Sequence, residues 1–229
     1  MKRYIYLICT LIAGAVSAQE LQLHYDMDKD REYLTSTFEI FKPDSLGSTF
    51  AFIDVNYDRK DGASLAYFEI ARKFNIPNKF IKGLNAHIEY NDGFLITNDK
   101  EGSPATPVGI PINRAWLVGV GFPVKIGNVT VHTTYMYKNI KDSHGIDGQF
   151  TAVAAHNILN NKVTLRGFMD IWSEDKFGSD DKHVVFITEP QVLYNISNKF
   201  SAGSEIEISK NFVDEDWHVY PTVMIKWNL

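Results

Sequence analysis

The chain has 229 residues, with 28 acidic against 23 basic side chains and a formal net charge of −5. That balance argues against a nucleic-acid-binding domain, which is usually basic. Hydrophobic residues make up 45% and aromatic residues 13%, yet beyond residue 18 no apolar run reaches the length of a transmembrane helix. A mature chain of this kind crosses a membrane only with strands closed into a barrel, the other structure that satisfies its backbone in lipid.

Lys2 and Arg3 make a positive start, Tyr4 to Val16 is apolar apart from Thr10, and Val16-Ser17-Ala18 is a small-x-small cleavage site. This is the secretory signal pattern, with an apolar run too short to span a bilayer. It predicts a signal peptide over residues 1–18 and one mature domain over residues 19–229. Cys9, the only cysteine, falls in the signal. The mature chain therefore has no disulfide and no thiolate metal ligand, and Ile8 before Cys9 does not suit a lipid anchor.

The rest alternates between apolar and polar residues in short segments, the mark of half-buried strands. The segments are 20–28, 33–42, 49–58, 64–74, 83–91, 113–122, 128–139, 149–157, 162–173, 183–195, 201–210 and 218–229. That is an even set of twelve, as an all-β, antiparallel, up-and-down transmembrane barrel requires. Connections at one rim are compact and rich in Asn, Pro and Gly, such as Pro43 to Gly47 and Pro123 to Gly127, residues that close turns. Those at the other rim are more acidic and mostly longer, above all Asn91 to Pro111. Short periplasmic turns and longer outer loops are the organisation of outer-membrane barrels.

The alternation assigns faces. Leu34, Phe38 and Ile40 oppose Thr35, Thr37 and Glu39; Ile53 and Val55 oppose Phe52, Asp54 and Asn56; Ile88 and Tyr90 oppose His87 and Glu89; Leu165, Met169 and Ile171 oppose Arg166, Phe168, Asp170 and Trp172. The segment around Phe150 alternates too weakly to orient. With the apolar face in lipid, the lumen candidates are Phe52, Asp54, Asn56, Tyr67, Glu69, His87, Glu89, Arg166, Phe168, Asp170 and Trp172. Mid-strand charges suit a wet lumen, and tyrosines with Trp227 near strand ends suit interfacial girdles. The competing architecture is a soluble sandwich or lipocalin-like barrel, with the apolar face inward.

An acidic lining that contains aromatics would favour cations over anions and hold flat polar solutes by stacking. The expected function is a channel for small polar solutes. The alternatives are a structural or adhesive barrel whose lumen charges pair and fill it, and a barrel lipid hydrolase. No cofactor or metal site is expected. Asp26, Asp28 and Asp30 alternate like a calcium loop, but Arg31 and Thr37 stand where Gly and Glu are needed. Ser143-His144 is the one adjacent Ser–His pair, and there is no G-x-S-x-G.

The chain closes on Val219, Pro221, Val223, Ile225, Trp227 and Leu229 along one face. This resembles the terminal strand that the barrel-assembly machinery recognises, with Leu in place of the usual Phe. Outer-membrane lipid and lipopolysaccharide, that machinery, and small polar solutes are the partners expected.

Leu21-Gln22-Leu23-His24-Tyr25-Asp26, Phe52-Ile53-Asp54-Val55-Asn56-Tyr57 with Asp61-Gly62, Tyr67-Phe68-Glu69-Ile70 and Pro221 to Trp227 form an ordered set. It resembles a Bacteroidota family of outer-membrane proteins of unknown function, related to the nucleoside-specific channel-forming protein Tsx. The resemblance implies a twelve-stranded barrel and passage of nucleosides. It assigns no role to any single residue.

Overall fold

The computed structural model of the chain describes residues 18–29, 31–58, 62–97, 108–176 and 178–229. The expected signal lies outside these apart from Ala18. The strands are β1 (Ala18–Asp26), β2 (Leu34–Asp44), β3 (Gly47–Asp58), β4 (Gly62–Asn75), β5 (Asn85–Thr97), β6 (Val108–Ile126), β7 (Val129–Ile140), β8 (Asp147–Ile158), β9 (Val163–Asp175), β10 (Lys182–Thr188), β11 (Gln191–Asn195), β12 (Phe200–Lys210) and β13 (Trp217–Asn228). Neighbours pair antiparallel around the sheet, and β13 returns to β1 from Glu20↔Asn228 to Asp26↔Thr222. The sheet thus closes into a barrel.

β10 and β11 are two halves of one stave. Both lie between β9 and β12, and the register stays in step from Thr188↔Met169 to Gln191↔Arg166. Pro190 causes the interruption, because it brings no N–H to the ladder. The barrel therefore has the twelve staves that the alternation predicts. Pro221, within β13, sits where β1 ends: Met27 N–H donates to its carbonyl at 3.0 Å, so its missing N–H faces the end of the ladder.

Two connections differ from the sequence reading. Residues 98–107 of the stretch from Asn91 to Pro111 lie outside the described residues, and the rest of it is strand: Gly93 to Thr97 of β5 pair with Ile112 to Val108 of β6. A register shift between Asn91 and Gly93 puts the alternation out of step there, which is why it reads as loop. Pro123 to Ile126 likewise belong to β6, leaving a turn of only Gly127 and Asn128, with Gly127 at φ 60. The other short turns behave as expected: Asp44 Oδ1 accepts from Leu46 N at 2.8 Å and Gly47 N at 3.0 Å, an Asx arrangement.

The packing is inverted relative to a water-soluble domain. Outward Ile70 is 49% exposed, Val118 54% and Val192 53%, while inward Gln22 and Asp26 are 2% exposed. Such apolar exposure runs round the ring, on staves from Leu23 to Ile225, far beyond the patch a soluble monomer tolerates. The soluble sandwich or lipocalin-like alternative is thereby overturned. Outward hydroxyls find local partners, as lipid demands: Ser36 Oγ lies 3.0 Å from the Tyr57 hydroxyl, and Ser204 Oγ donates to Thr222 O at 2.7 Å. Outward aromatics pair across neighbouring staves, with Tyr90 and Trp116 4.7 Å apart, and Phe186 and Trp217, at the start of β13, 5.7 Å apart.

Backbones approach closely at Gly203, where an added Cβ would stand 1.9 Å from the Val192 carbonyl oxygen. Gly203→Val is expected to cost about 1–3 kcal/mol through forced backbone shifts. The check is the urea midpoint of refolding into phospholipid vesicles.

Candidate functional site

Pairing fixes which side chains share the interior. All eleven lumen candidates point inward, on the face that carries the buried polar side chains. The weakly patterned β8 is oriented by its partners: Gln149, Thr151 and Val153 face in with Trp172, Asp170 and Phe168, and Phe150 faces out with Ile171.

One network spans the periplasmic half. Arg166 Nη1 lies 2.6 Å from Glu20 Oε1, and Arg166 Nη2 lies 3.6 Å from Glu39 Oε2. β9 and β1 are four staves apart round the ring, so Arg166 reaches across the lumen rather than along its wall. The chain of contacts closes on itself. Arg166 Nε donates to Gln191 Oε1 at 2.6 Å, Gln191 Nε2 to Glu205 Oε2 at 2.5 Å, and His24 bridges Glu205 (3.2 Å) to Gln22 (3.1 Å). Gln22 Nε2 donates back to Glu20, whose second oxygen takes Lys226 Nζ at 3.0 Å. Each charge here is paired and hydrogen-bonded, the condition under which burying it is tolerated.

The outer half on the β6–β10 side is packed with apolar groups. Ala115, Leu117 and Met136 form one cluster and Trp172, Val185 and Ile187 another, with Ile140 packed on both. Trp172 belongs here rather than to an open solute surface. Its N–H donates to Glu174 Oε2 at 2.7 Å, Phe212 meets its ring edge-on, and Lys138 Nζ sits 4.2 Å from the ring centre. Across the rim Arg31 clamps Asp26 at 2.8 Å and Glu207 at 2.9 Å and lies over the Tyr220 ring.

The β2–β4 wall is different. Apart from buried Ala71, its inward side chains stay partly exposed. Thr35 donates to Asn56 at 2.9 Å, Thr37 to Asp54 at 2.5 Å, and the Tyr67 hydroxyl to Glu69 at 2.7 Å. The Phe52 and Tyr67 rings are 6.0 Å apart. His87 and Glu89 pair at 2.8 Å on the adjoining stave. Among the described residues Asp54, Glu69, Asp170 and Glu189 have no lysine, arginine or histidine at ion-pairing distance. Sequence reasoning missed Glu20, Phe41 and Phe50 as interior residues. The signal was there, because they keep step with Gln22, Glu39 and Phe52 respectively.

At the outer rim His144 Nδ1 stands 3.0 Å from Asp175 and 3.2 Å from Asp180, the one grouping among the described residues with metal-ligand spacing. Lys182 already occupies the charge there, 2.5 Å from Asp175 and 2.8 Å from Asp147. Ser143 donates to Asp147 at 2.7 Å, so Ser143 and His144 engage different carboxylates and do not form a nucleophile–base pair. In the β12–β13 loop, the hydrogen bond from His218 and the Asp216 N–H hold the Asp214 carboxyl below the usual range.

A closed twelve-stave barrel with lipid-facing apolar residues and a charged interior has the fold of an outer-membrane porin. A KdgM porin structure aligns at TM-score 0.50 and 9% identity, over 93% of this chain and 99% of that one. A NanC porin structure aligns at TM-score 0.55 and 9% identity, over 93% and 100%. The chain belongs to the family described as "Domain of unknown function (DUF5020)", whose model matches residues 18–229. No curated protein matches it.

Proposed function

We propose that the protein is a narrow outer-membrane channel that passes small polar solutes by diffusion and prefers cations to anions. The observation that carries this is the interior itself: Asp54, Glu69, Asp170 and Glu189 face it without a basic partner among the described residues, beside the partly exposed rings of Phe52 and Tyr67. An acidic constriction of this kind concentrates cations and repels anions. Phe52, Asp54, Asn56, Tyr67 and Glu69 are the contacts assigned to the solute, with His87, Glu89, Phe168 and Asp170 around them. Arg166 sets the width and Trp172 supports the wall. The likeness to KdgM and NanC porins supports the fold on which the reading depends. Nucleosides, implied by the Tsx-like resemblance, are the first neutral solutes to test.

In this reading residues 1–18 direct export and are removed. The barrel-assembly machinery engages β13, and the barrel sits in the outer membrane of a Gram-negative cell among lipid and lipopolysaccharide. A second reading, a structural barrel with a filled lumen, is favoured by the crossing Arg166 and by Leu117, Val185 and Leu193, each 0% exposed. Planar-bilayer recording separates the two. Discrete openings are expected, with a reversal potential in a KCl gradient on the potassium side. A silent bilayer would reject the channel, and a chloride-side reversal would reject its selectivity.

A further inference from the structure

The accessible interior includes the β7–β8 side, where inward Val153 is 41% exposed, and the β2–β4 wall, which carries a run of aromatic rings. Inward residues of β1 and β12, such as Glu20, Gln22, Glu205 and Ser209, are buried. On β2 and β3, Phe41 is 43% exposed and its register partner Phe50 lies beside it on the inner face. Phe50 and Phe52 are 5.8 Å apart and Phe52 and Tyr67 6.0 Å apart. A ladder of four rings thus climbs from the periplasmic mouth to mid-barrel, flanked by Asp54 and Glu69.

We propose that this ladder, with Asp54 and Glu69 beside it, is a binding track for organic cations: small solutes with an ammonium group on a ring or short alkyl body. The proposal names the solute class of the channel reading above. It rests on that reading for the route, though not for the binding itself.

Three observations favour a cation over a neutral ring or an anion. Ring faces carry negative potential and attract ammonium groups. Asp54 and Glu69 lack a basic partner among the described residues, so a bound cation supplies the counter-charge that a partly desolvated carboxylate needs. Asn91, 5% exposed and directly opposite Glu69 in register, keeps its Oδ1 without a hydrogen-bond partner, and an ammonium N–H can donate to it. A nucleoside or sugar would stack on the rings and leave both carboxylates without a counter-charge, and an anion would be repelled.

The test is calorimetric titration of the refolded mature chain in non-ionic detergent with benzylammonium chloride, benzyl alcohol, benzoate and adenosine. Folding of every variant is verified by heat-modifiable gel mobility. Benzylammonium is expected to bind about tenfold more tightly than benzyl alcohol, the scale of one desolvated cation–ring contact. Phe52→Ala and the isosteric Asp54→Asn should each weaken it by a similar factor, and outward Ile53→Ala should leave it unchanged. Equal binding of benzyl alcohol or adenosine, or affinity indifferent to both interior variants, would overturn the proposal. Selective binding by a barrel that proves silent in bilayers would reject the channel and uphold the track. Conductance without selective binding would do the reverse.

Discussion

Arg166→Ala is expected to give larger single-channel openings together with a less stable barrel. The guanidinium bridges Glu20, Glu39 and Gln191 across four staves, so its loss removes the crossbar from the periplasmic half of the lumen. It also leaves Glu20 with Lys226 as its remaining cation and Glu39 with none among the described residues. Removing one partner from a buried ion pair costs about 3–5 kcal/mol; the remaining Lys226 contact puts this case near the lower end. Urea titration in vesicles measures the stability and bilayer recording the width. Arg166→Met, which keeps the side-chain stem and loses the charge, should also open the lumen. Unchanged openings in both variants would mean that solutes do not pass Arg166.

Ile53→Arg is expected to cost about 2–4 kcal/mol, the penalty for a cation on the lipid face near the bilayer midplane. Ile53 lies at the middle of β3, outward and 41% exposed, between Phe38 and Phe68 in register. A cation there has no counter-charge and must snorkel or thin the bilayer. Refolding into vesicles of increasing thickness sharpens the test, because the penalty should grow with the hydrocarbon layer. Insensitivity to thickness would show that Ile53 does not face lipid.

The strand number and the inward face were legible in the amino-acid order because a period of two is a local property. Once His87 and Glu89 are set against Ile88 and Tyr90, the direction of each is settled by its neighbours. Phe41 and Phe50 escaped because an aromatic near a strand end fits a lipid-facing girdle as well as a lumen, and only parity with Glu39 and Phe52 separates the two. Contacts across the lumen were not legible. That Arg166 meets Glu20 depends on the tilt and stagger of staves far apart in the ring, which alternation does not encode. The Asn91–Gly93 register shift hid strand for a related reason, since one extra residue reverses every later face.

β6 has 19 residues, about 60 Å of strand at 3.3 Å per residue. At the usual tilt that is about 45 Å along the bilayer normal, against a hydrocarbon layer of about 30 Å. β7 accompanies it only as far as Ala115↔Ile140, so Val108 to Arg114 stand as a parapet above the neighbouring wall. With the barrel in the outer membrane as proposed and its short turns toward the cell, this rampart stands where antibodies, phages and proteases reach the sheet, while the two-residue Gly127–Asn128 turn is sheltered from them.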